Sequence, residues 1–411
     1  MKANKTVLFI VTLLCCVTTD AQNFDDYFTD NTLRLDYIFA GDRTRQGLYV
    51  DKLLKIKHWY GRRKRLNQLP YEGNGQITVT DSVSGEVIYR HSFSTLFQEW
   101  LTSEESKNTP KSFENVFLVP FPKNTVNIKV ELFDYHRKTF ASMCHTVNPS
   151  DILIRTIDVP NNKYVTIQKA ADTTNCIHIA YVAEGYTKDQ MDSFVNDAHK
   201  ATNALFDHEP FKRMKQSFNI VCVESESKQE GTSTPHKLDW KNTALGSHFD
   251  TFYSNRYLTT LNLKRLHDEL AGAPYEHIIV LVNTEQYGGG GIYNSYNLSY
   301  TKGPHFLPVV VHEFGHSFGA LADEYEYADT DPMYFSDTEP WEPNITTKAD
   351  FSQKWQNLID QGKAGLIEGG GYQSKGVWRG VQNCRMRTNE CKDFCPVCQQ
   401  ALQRLIDFYV K

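Results

Sequence analysis

The sequence lacks an excess of either charge. Its 44 Lys and Arg residues nearly balance 49 Asp and Glu residues, which leaves a formal net charge of -5 and a pI near 6.3. Proteins that bind nucleic acid carry a broad basic surface, so the composition favours no nucleic-acid partner. Beyond residues 1–21 there is also no run of about 20 uninterrupted apolar residues, and we therefore expect no membrane span.

Residues 1–21 have the pattern of a secretory signal. Lys2 and Lys5 precede the apolar run at residues 7–17, and residues 19–21 (TDA) form a small-x-small cleavage site. We expect the mature chain to begin at Gln22 and to be secreted, periplasmic or on the cell surface. Lipid modification at Cys15 or Cys16 is the alternative, although neither follows the small residue that this processing usually requires.

The length of 411 residues is enough for two domains. Residues 76–80 (QITVT) and 126–132 (VNIKVEL) alternate apolar with polar side chains, as half-buried strands do. Residues 94–106 have the spacing of a helix or of a bulged strand. We predict an all-β, sandwich-like accessory domain over residues 22–160.

The pattern changes beyond a turn-forming stretch near residues 158–163. Buried strands are predicted to alternate with amphipathic helices, the strands at residues 176–183, 218–224 and 278–282 and the helices at residues 188–213 and 257–270. This alternation predicts an α/β (α+β) domain with a mostly parallel sheet over residues 161–411.

The strongest motif lies in residues 309–325, VVVHEFGHSFGALADEY. Side chains four apart stack on one face of a helix, so His312 and His316 can converge on one metal ion. Two imidazoles on one helical turn suit catalytic Zn²⁺, and Glu313 is placed to reach a water on that ion. The alternative is a core helix whose two histidines are only hydrogen-bonded.

A catalytic zinc ion needs a third protein ligand, and we predict Asp323, with Glu324 as the substitute. Along a continuous helix Asp323 would lie about 10 Å beyond His316, too far to reach the same ion. The chain must therefore bend, and Gly319, which can adopt positive φ, is the expected position of the bend.

A glycine-rich segment precedes the histidine motif at residues 286–296, QYGGGGIYNSY. It predicts an edge strand that could pair with an extended peptide, the alternative being a flexible loop with no binding role. No P-loop lysine follows the glycines, which excludes a phosphate loop. After the motif, Asp329, Asp331 and Asp337 could bind calcium, but the EF-hand spacing is absent and a solvated acidic loop is favoured.

Seven of the nine cysteines follow residue 21, namely Cys144, Cys176, Cys222, Cys384, Cys391, Cys395 and Cys398. An odd number leaves at least one thiol unpaired if every disulfide is internal. The last four could bind a second, structural zinc ion, but export favours disulfides.

Four segments together give the chain a family resemblance: HEFGHSFGALADEY, GGGGIYN, AEGYT at residues 183–187 and CRMRT at residues 384–388. With them, the chain resembles bacterial zinc metallopeptidases of the IgA-peptidase family. The resemblance implies a metzincin-like catalytic fold behind an N-terminal domain, zinc bound by His312, His316 and Asp323, and Glu313 as general base and acid. Metzincins usually have a third histidine where this chain has Ala322, and Met386 resembles their methionine turn, a core methionine being the alternative.

We therefore predict a secreted zinc endopeptidase whose partner is a protein or peptide substrate, possible substrates including immunoglobulin A and other host proteins. Tyr325 or Tyr327 could donate a hydrogen bond to the developing oxyanion. Two alternatives remain open. One is a gluzincin-like peptidase whose third ligand is Glu339 or Glu342, and the other is a secreted glycan-binding or protein-binding protein with structural zinc.

Overall fold

A computed structural model of the protein describes residues 22–157, 161–328 and 332–411. The predicted signal at residues 1–21 lies outside the described residues, as do Asp329 and Asp331. The N-terminal part is built from strands with two short helices, namely α1 (Phe24–Tyr27), β1 (Phe28–Gly41), β2 (Gln46–Lys57), β3 (Gly75–Asp81), β4 (Val87–Phe93), α2 (Leu96–Trp100), β5 (Lys111–Pro122), β6 (Val126–Phe133), β7 (Thr139–Val147) and β8 (Arg155–Ile157).

These strands form two four-stranded sheets, in the orders β5-β1-β2-β8 and β4-β3-β6-β7. Strand β3 buries every second residue, which confirms the alternation read from residues 76–80. Side chains from both sheets share one core, where Phe93 of one sheet packs on Phe117 of the other with ring centroids 4.3 Å apart. The N-terminal part is therefore a β-sandwich.

The next part alternates strands and helices, namely β9 (Tyr164–Gln168), β10 (Ile177–Glu184), α3 (Met191–Phe206), β11 (Phe218–Val223), α4 (Leu263–Glu269), β12 (His277–Val282), β13 (Gly289–Ile292), β14 (Tyr296–Tyr300) and α5 (Phe306–Ser317). Its six-stranded sheet has the order β13-β14-β12-β10-β11-β9. The four inner strands are parallel and the two outer strands antiparallel to their neighbours. The predicted mostly parallel sheet is confirmed.

Both predicted helices of this part are shorter than expected. Helix α3 follows a 3-10 turn at Lys188–Gln190 that Thr187 and Gln190 cap, and it ends at Phe206. Pro210 disfavours helical backbone at the residue before it, so a helix reaching residue 213 was wrong. Helix α4 begins only at Leu263, because Leu258 donates its N–H to the Gly289 carbonyl instead.

The C-terminal part contains β15 (Glu326–Tyr327), β16 (Ile345–Thr346), α6 (Gln356–Asp360), β17 (Ile367–Gly370), β18 (Tyr372–Arg379) and α7 (Pro396–Val410). Strand β18 pairs with the other three strands. Helices α5 and α7 bury apolar side chains in one core under the six-stranded sheet. The molecule is thus mixed α and β, with an N-terminal β region before an α/β region.

The sandwich also packs on the α/β region. Arg34 of β1 is 1 % exposed and pairs with Asp36 at 2.7 Å and with Asp268 at 2.6 Å. Ser94 donates its N–H to the Tyr293 carbonyl at 3.0 Å. In the parts of the chain described, no helix combines the length and apolarity that a bilayer crossing requires.

Candidate metal centre

Helix α5 carries the histidine motif between a core and a cleft. Val310 and Phe314 are buried in the core, whereas His312, Glu313 and His316 line a cleft of about 850 Å³. Because apolar and polar positions fall on different sides of the helix, packing of the core face presents the motif to the cleft.

Helix α5 ends where the sequence predicted a bend, but the residue with positive φ is not the predicted glycine. Helix α5 stops at Ser317, and the positive φ of 57° that follows belongs to Ala320 rather than to Gly319. Gly319 is required by close packing, since a Cβ there would lie 2.6 Å from the Gly315 carbonyl oxygen and 2.7 Å from Leu402 Cδ2. The expectation of positive φ at Gly319 was wrong.

The bend brings Asp323 beside both histidines. Asp323 Oδ1 lies 3.0 Å from His312 Nε2 and 3.2 Å from His316 Nε2, and the two Nε2 atoms are 3.0 Å apart. Asp323 is 5 % exposed. Ligands about 2.0–2.1 Å from a tetrahedral metal ion lie about 3.3 Å from one another, so this triangle of donor atoms is close to the size that one metal ion needs.

The hydrogen bonds of the two rings orient their Nε2 atoms. His312 Nδ1 lies 3.0 Å from the Arg385 carbonyl oxygen, and His316 Nδ1 lies 2.6 Å from that of Leu321. A carbonyl only accepts, so each Nδ1 carries a proton and each Nε2 is left facing the cleft. Two ring nitrogens and a carboxylate oxygen that face one another form a group that could hold a cation.

The pKa values of Asp323 and His316 also indicate that positive charge is favoured here. Burial by itself raises the pKa of Asp323, but His316 and His312 outweigh burial and hold the pKa well below its usual range. Burial lowers the pKa of His316, whereas the charge of Asp323 and their hydrogen bond raise it overall, to about 9. A positive charge, carried by a proton or by a metal ion, therefore stabilises the buried carboxylate.

Glu313 lies against the edge strand β13. A Cβ at Gly289 would approach Glu313 Oε1 to 2.6 Å, and one at Gly291 would approach the Glu313 carbonyl oxygen to 2.6 Å. The glycines therefore form a strand whose missing side chains make room for the helix, and the alternative of a flexible loop was wrong. Burial raises the pKa of Glu313.

Three tyrosines pack on one another beside Asp323, namely Tyr325, Tyr327 and Tyr372. Tyr372 donates its hydroxyl to Asp323 Oδ2 at 2.5 Å, a contact that the sequence did not suggest because Tyr372 is 49 residues away. Burial and then the charge of Asp323 raise the pKa of Tyr325. Tyr325 and Tyr327, the two predicted oxyanion donors, both line the cleft, and Tyr327 is 48 % exposed.

Met386 lies beneath α5 and is fully buried. A Cβ at Gly315, between the two histidines, would meet its Sδ at 2.6 Å. The Met386 carbonyl accepts the Glu324 N–H at 2.8 Å. The turn that contains Met386 thus supports both the helix and the segment after it.

The other candidate carboxylates do not join the two histidines, although Glu342 also lines the cleft. Glu324 faces away from the cleft and contacts Cys398, with Oε1 3.1 Å from Sγ. Glu339 pairs with Lys354 at 2.8 Å, and Glu342 accepts the Tyr334 hydroxyl at 2.9 Å. Of these carboxylates, only Asp323 joins the two histidines.

The cysteine prediction needs correction. All seven described cysteines are free, so the preference for disulfides was wrong. Cys384, Cys395 and Cys398 converge, but the fourth member of their group is Glu324 and not Cys391. Sequence spacing could not show that a residue 60 positions earlier enters the group. Asp337, from the loop predicted to be acidic and solvated rather than to bind calcium, has its Oδ1 3.6 Å from His136 Nδ1.

The β-sandwich also contributes to the cleft, which the sequence did not reveal. Glu99 and Tyr135 line it together with the residues of α5. Burial raises the pKa of Glu99 to about 7, although a hydrogen bond from the Tyr257 hydroxyl lowers it.

A cleft in which two histidines and an aspartate converge beside a glutamate on the same helix is typical of hydrolytic metal centres. The chain belongs to the IgA Peptidase M64 family, whose model matches residues 165–365 and 360–406. A second model, described as the Peptidase M64 N-terminus, matches residues 23–143. No curated protein matches the chain. The predicted family is confirmed, and with it the assignment to the peptidases.

Proposed function

We propose that the protein is a zinc-dependent endopeptidase in which His312, His316 and Asp323 hold the ion and Glu313 is the general base. The observation that carries the proposal is the triangle of donor atoms, with edges of 3.0, 3.0 and 3.2 Å, on the floor of the cleft. A zinc ion held there would polarise the scissile carbonyl and lower the pKa of a bound water toward about 7.

The protein's own groups perform the proton transfers. Glu313 takes a proton from the attacking water and delivers it to the amine that leaves. Its raised pKa brings the carboxyl closer to neutral pH, where a general base that must also act as an acid is most effective. Tyr325 donates a hydrogen bond to the oxyanion, and Tyr372 orients Asp323.

The substrate is a protein segment bound in extended form along the part of β13 that lines the cleft beyond Gly289, whose carbonyl already accepts the Leu258 N–H. Immunoglobulin A and other host proteins are the candidates, reached by export of the mature chain from Gln22. In this proposal residues 22–160 are an accessory domain and residues 161–411 a metzincin-like catalytic domain. The bend after α5 and the position of Met386 beneath the helix support the metzincin-like assignment.

The test is cleavage of casein and immunoglobulin A by the wild-type protein and by Glu313→Gln. We expect cleavage that a chelator abolishes and zinc restores, and a loss of about 10²–10⁴ in rate for Glu313→Gln with the metal content unchanged. Glu285→Gln, an exposed carboxylate on the same chain, is the matched control and should retain the wild-type rate. Wild-type cleavage by Glu313→Gln would refute the mechanism.

A further inference from the structure

A second group of metal-binding side chains lies behind the cleft, with no access to it. Its members are Glu324, Cys384, Cys395 and Cys398, one donor atom from each lying within 4.8 Å of the others. Cys395 is 5 % exposed and the other three are 0 % exposed. The group is separate from the histidine site, although Glu324 directly follows Asp323 in the chain.

The sulfur positions differ from those of a disulfide. Cys384 Sγ and Cys398 Sγ are 3.7 Å apart, whereas bonded sulfurs are about 2.05 Å apart. Two thiolates bound at about 2.3 Å to one tetrahedral zinc ion lie about 3.8 Å apart, which agrees with the observed separation.

The Glu324 carboxylate lies at distances from two of the sulfurs that fit the same ion. Glu324 Oε1 lies 3.1 Å from Cys398 Sγ and 3.9 Å from Cys395 Sγ, and these distances bracket the value of about 3.5 Å expected between oxygen and sulfur ligands of one zinc ion. Asn344 donates to the same oxygen at 3.0 Å and orients it. Glu324 Oε2 is buried with no hydrogen-bond partner among the described residues.

The backbone around the cysteines is arranged to stabilise thiolates. Cys395 is the N-cap of α7 and Pro396 follows it, so the positive end of a 15-residue helix faces the sulfurs. The N–H of Cys395 lies 3.2 Å from Cys384 Sγ, and the N–H of Cys398 lies 3.5 Å from Cys395 Sγ. N–H groups directed at sulfur favour its negative form.

We propose that Glu324, Cys384, Cys395 and Cys398 bind a second divalent metal ion, for which zinc is the best match. Three sulfur ligands and one oxygen ligand in a tetrahedron suit zinc and exclude calcium and magnesium, which take oxygen. Four protein ligands in a buried position leave no room for a substrate, so the site is structural.

The consequence for the cleft rests on the proposed function. Glu324 donates its N–H to the Met386 carbonyl at 2.8 Å, and the neighbouring Arg385 carbonyl lies 3.0 Å from His312 Nδ1. Asp323 directly precedes Glu324, and Arg385 directly follows Cys384. A metal ion that binds Glu324, Cys384 and the cysteines at the N-terminal end of α7 would therefore fix the position of Asp323 and of the Arg385 carbonyl that contacts His312.

Metal content and zinc X-ray absorption test the second site directly. The wild-type protein should contain two zinc ions, and His312→Ala/His316→Ala should retain one, with zinc–sulfur scattering at about 2.3 Å. Cobalt in this double variant should give a thiolate charge-transfer band, a signal to which the histidine site contributes nothing. A single ion without sulfur scattering in the wild type, or a disulfide between Cys384 and Cys398 found by mass spectrometry, would overturn the proposal.

Variants localise the sulfur signal. Cys384→Ser should remove one zinc ion and the cobalt–thiolate band, whereas Cys391→Ser, outside the group, should keep both. If Cys384→Ser does not fold, the double histidine variant still decides the question, because it leaves every ligand of the second site intact. Loss of cleavage in that variant tests the proposed function separately from the sulfur scattering.

Discussion

The two groups of candidate metal ligands contain the consecutive residues Asp323 and Glu324 but differ in their donor atoms and in their exposure. In the cleft, His312 and His316 have side chains 14 % and 16 % exposed and supply two nitrogens beside one carboxylate oxygen. Behind it, three sulfurs and one carboxylate oxygen are buried. Three ligands on a solvent-filled cleft leave a position for a reacting molecule, whereas four buried ligands close the coordination shell.

The segment after α5 explains how consecutive carboxylates reach different sites. Gly371 donates its N–H to the Asp323 carbonyl at 2.8 Å, while the Glu324 N–H binds the Met386 carbonyl at 2.8 Å from the other side. Such an extended segment points successive side chains to opposite faces. One carboxylate therefore enters the cleft and the next enters the core.

The largest effect is expected from substitution of the two consecutive carboxylates, which separates the two candidate sites. Asp323→Ala should reduce cleavage to the level of the metal-free protein and remove the cleft ion, while the zinc–sulfur scattering persists. Glu324→Gln should weaken the sulfur site and lower zinc affinity in the cleft without removing a cleft ligand. Metal analysis and cleavage of the same preparations measure both effects, and loss of the sulfur signal in Asp323→Ala would contradict the separation.

A smaller effect is expected from Gly289→Ala, which tests how closely the cleft is packed. The new Cβ would lie 2.6 Å from Glu313 Oε1, so it should displace the base and lower the rate about 10²-fold while both metal ions stay bound. Gly365→Ala is the control, because its Cβ would have only the Gly380 carbonyl oxygen as a neighbour, at 4.0 Å. An unchanged rate in Gly289→Ala would contradict the role of Glu313.

Tyr372→Phe should produce a still smaller change. The substitution removes the hydroxyl that donates to Asp323 Oδ2, and loss of such an outer contact lowers metal affinity or activity by about 10-fold to 100-fold. Zinc affinity by competition with a chromogenic chelator measures it. The sulfur site should be unaffected, and equal weakening of both sites would show that the variant disturbs the fold as a whole.

A last effect concerns stability in acid rather than activity. His277, 5 % exposed, packs on Phe318 just after α5, and burial lowers its pKa to about 3. The unfolded chain therefore binds a proton that the folded chain does not bind, and stability falls as pH drops from about 6.5 toward 3, by up to about 1.4 kcal/mol per pH unit.

Replacement of this ring should reduce that pH dependence by the share of His277, since burial also lowers the pKa values of His91 and His178. His277→Phe keeps an aromatic ring without a titrating group, so denaturant unfolding at pH 7 and pH 5 should give a smaller difference than in the wild type. His199→Gln, at an exposed position on α3, should leave the difference unchanged. Equal slopes in His277→Phe and the wild type would contradict the assignment.

Local patterns in the sequence were sufficient for the histidine motif, the family and three of the four inner strands, β10, β11 and β12, but not for β14. His312, Glu313 and His316 lie within five residues, and helical spacing alone brings them to one face. Strands such as β10 and β12 are buried along their whole length and so appear as apolar runs.

The tertiary structure alone decided the contacts that join distant segments. The hydroxyl of Tyr372 donates to Asp323, and Glu99 of the sandwich lines the cleft. The fourth member of the cysteine group is Glu324 and not the predicted Cys391. Sequence spacing carries no information on such contacts, because they depend on how whole elements pack. The bend after α5 shows the same division. The sequence predicted where the helix ends, but not why Gly319 is needed there. In the structure Gly319 packs closely against Gly315 and Leu402, and the positive φ belongs to Ala320.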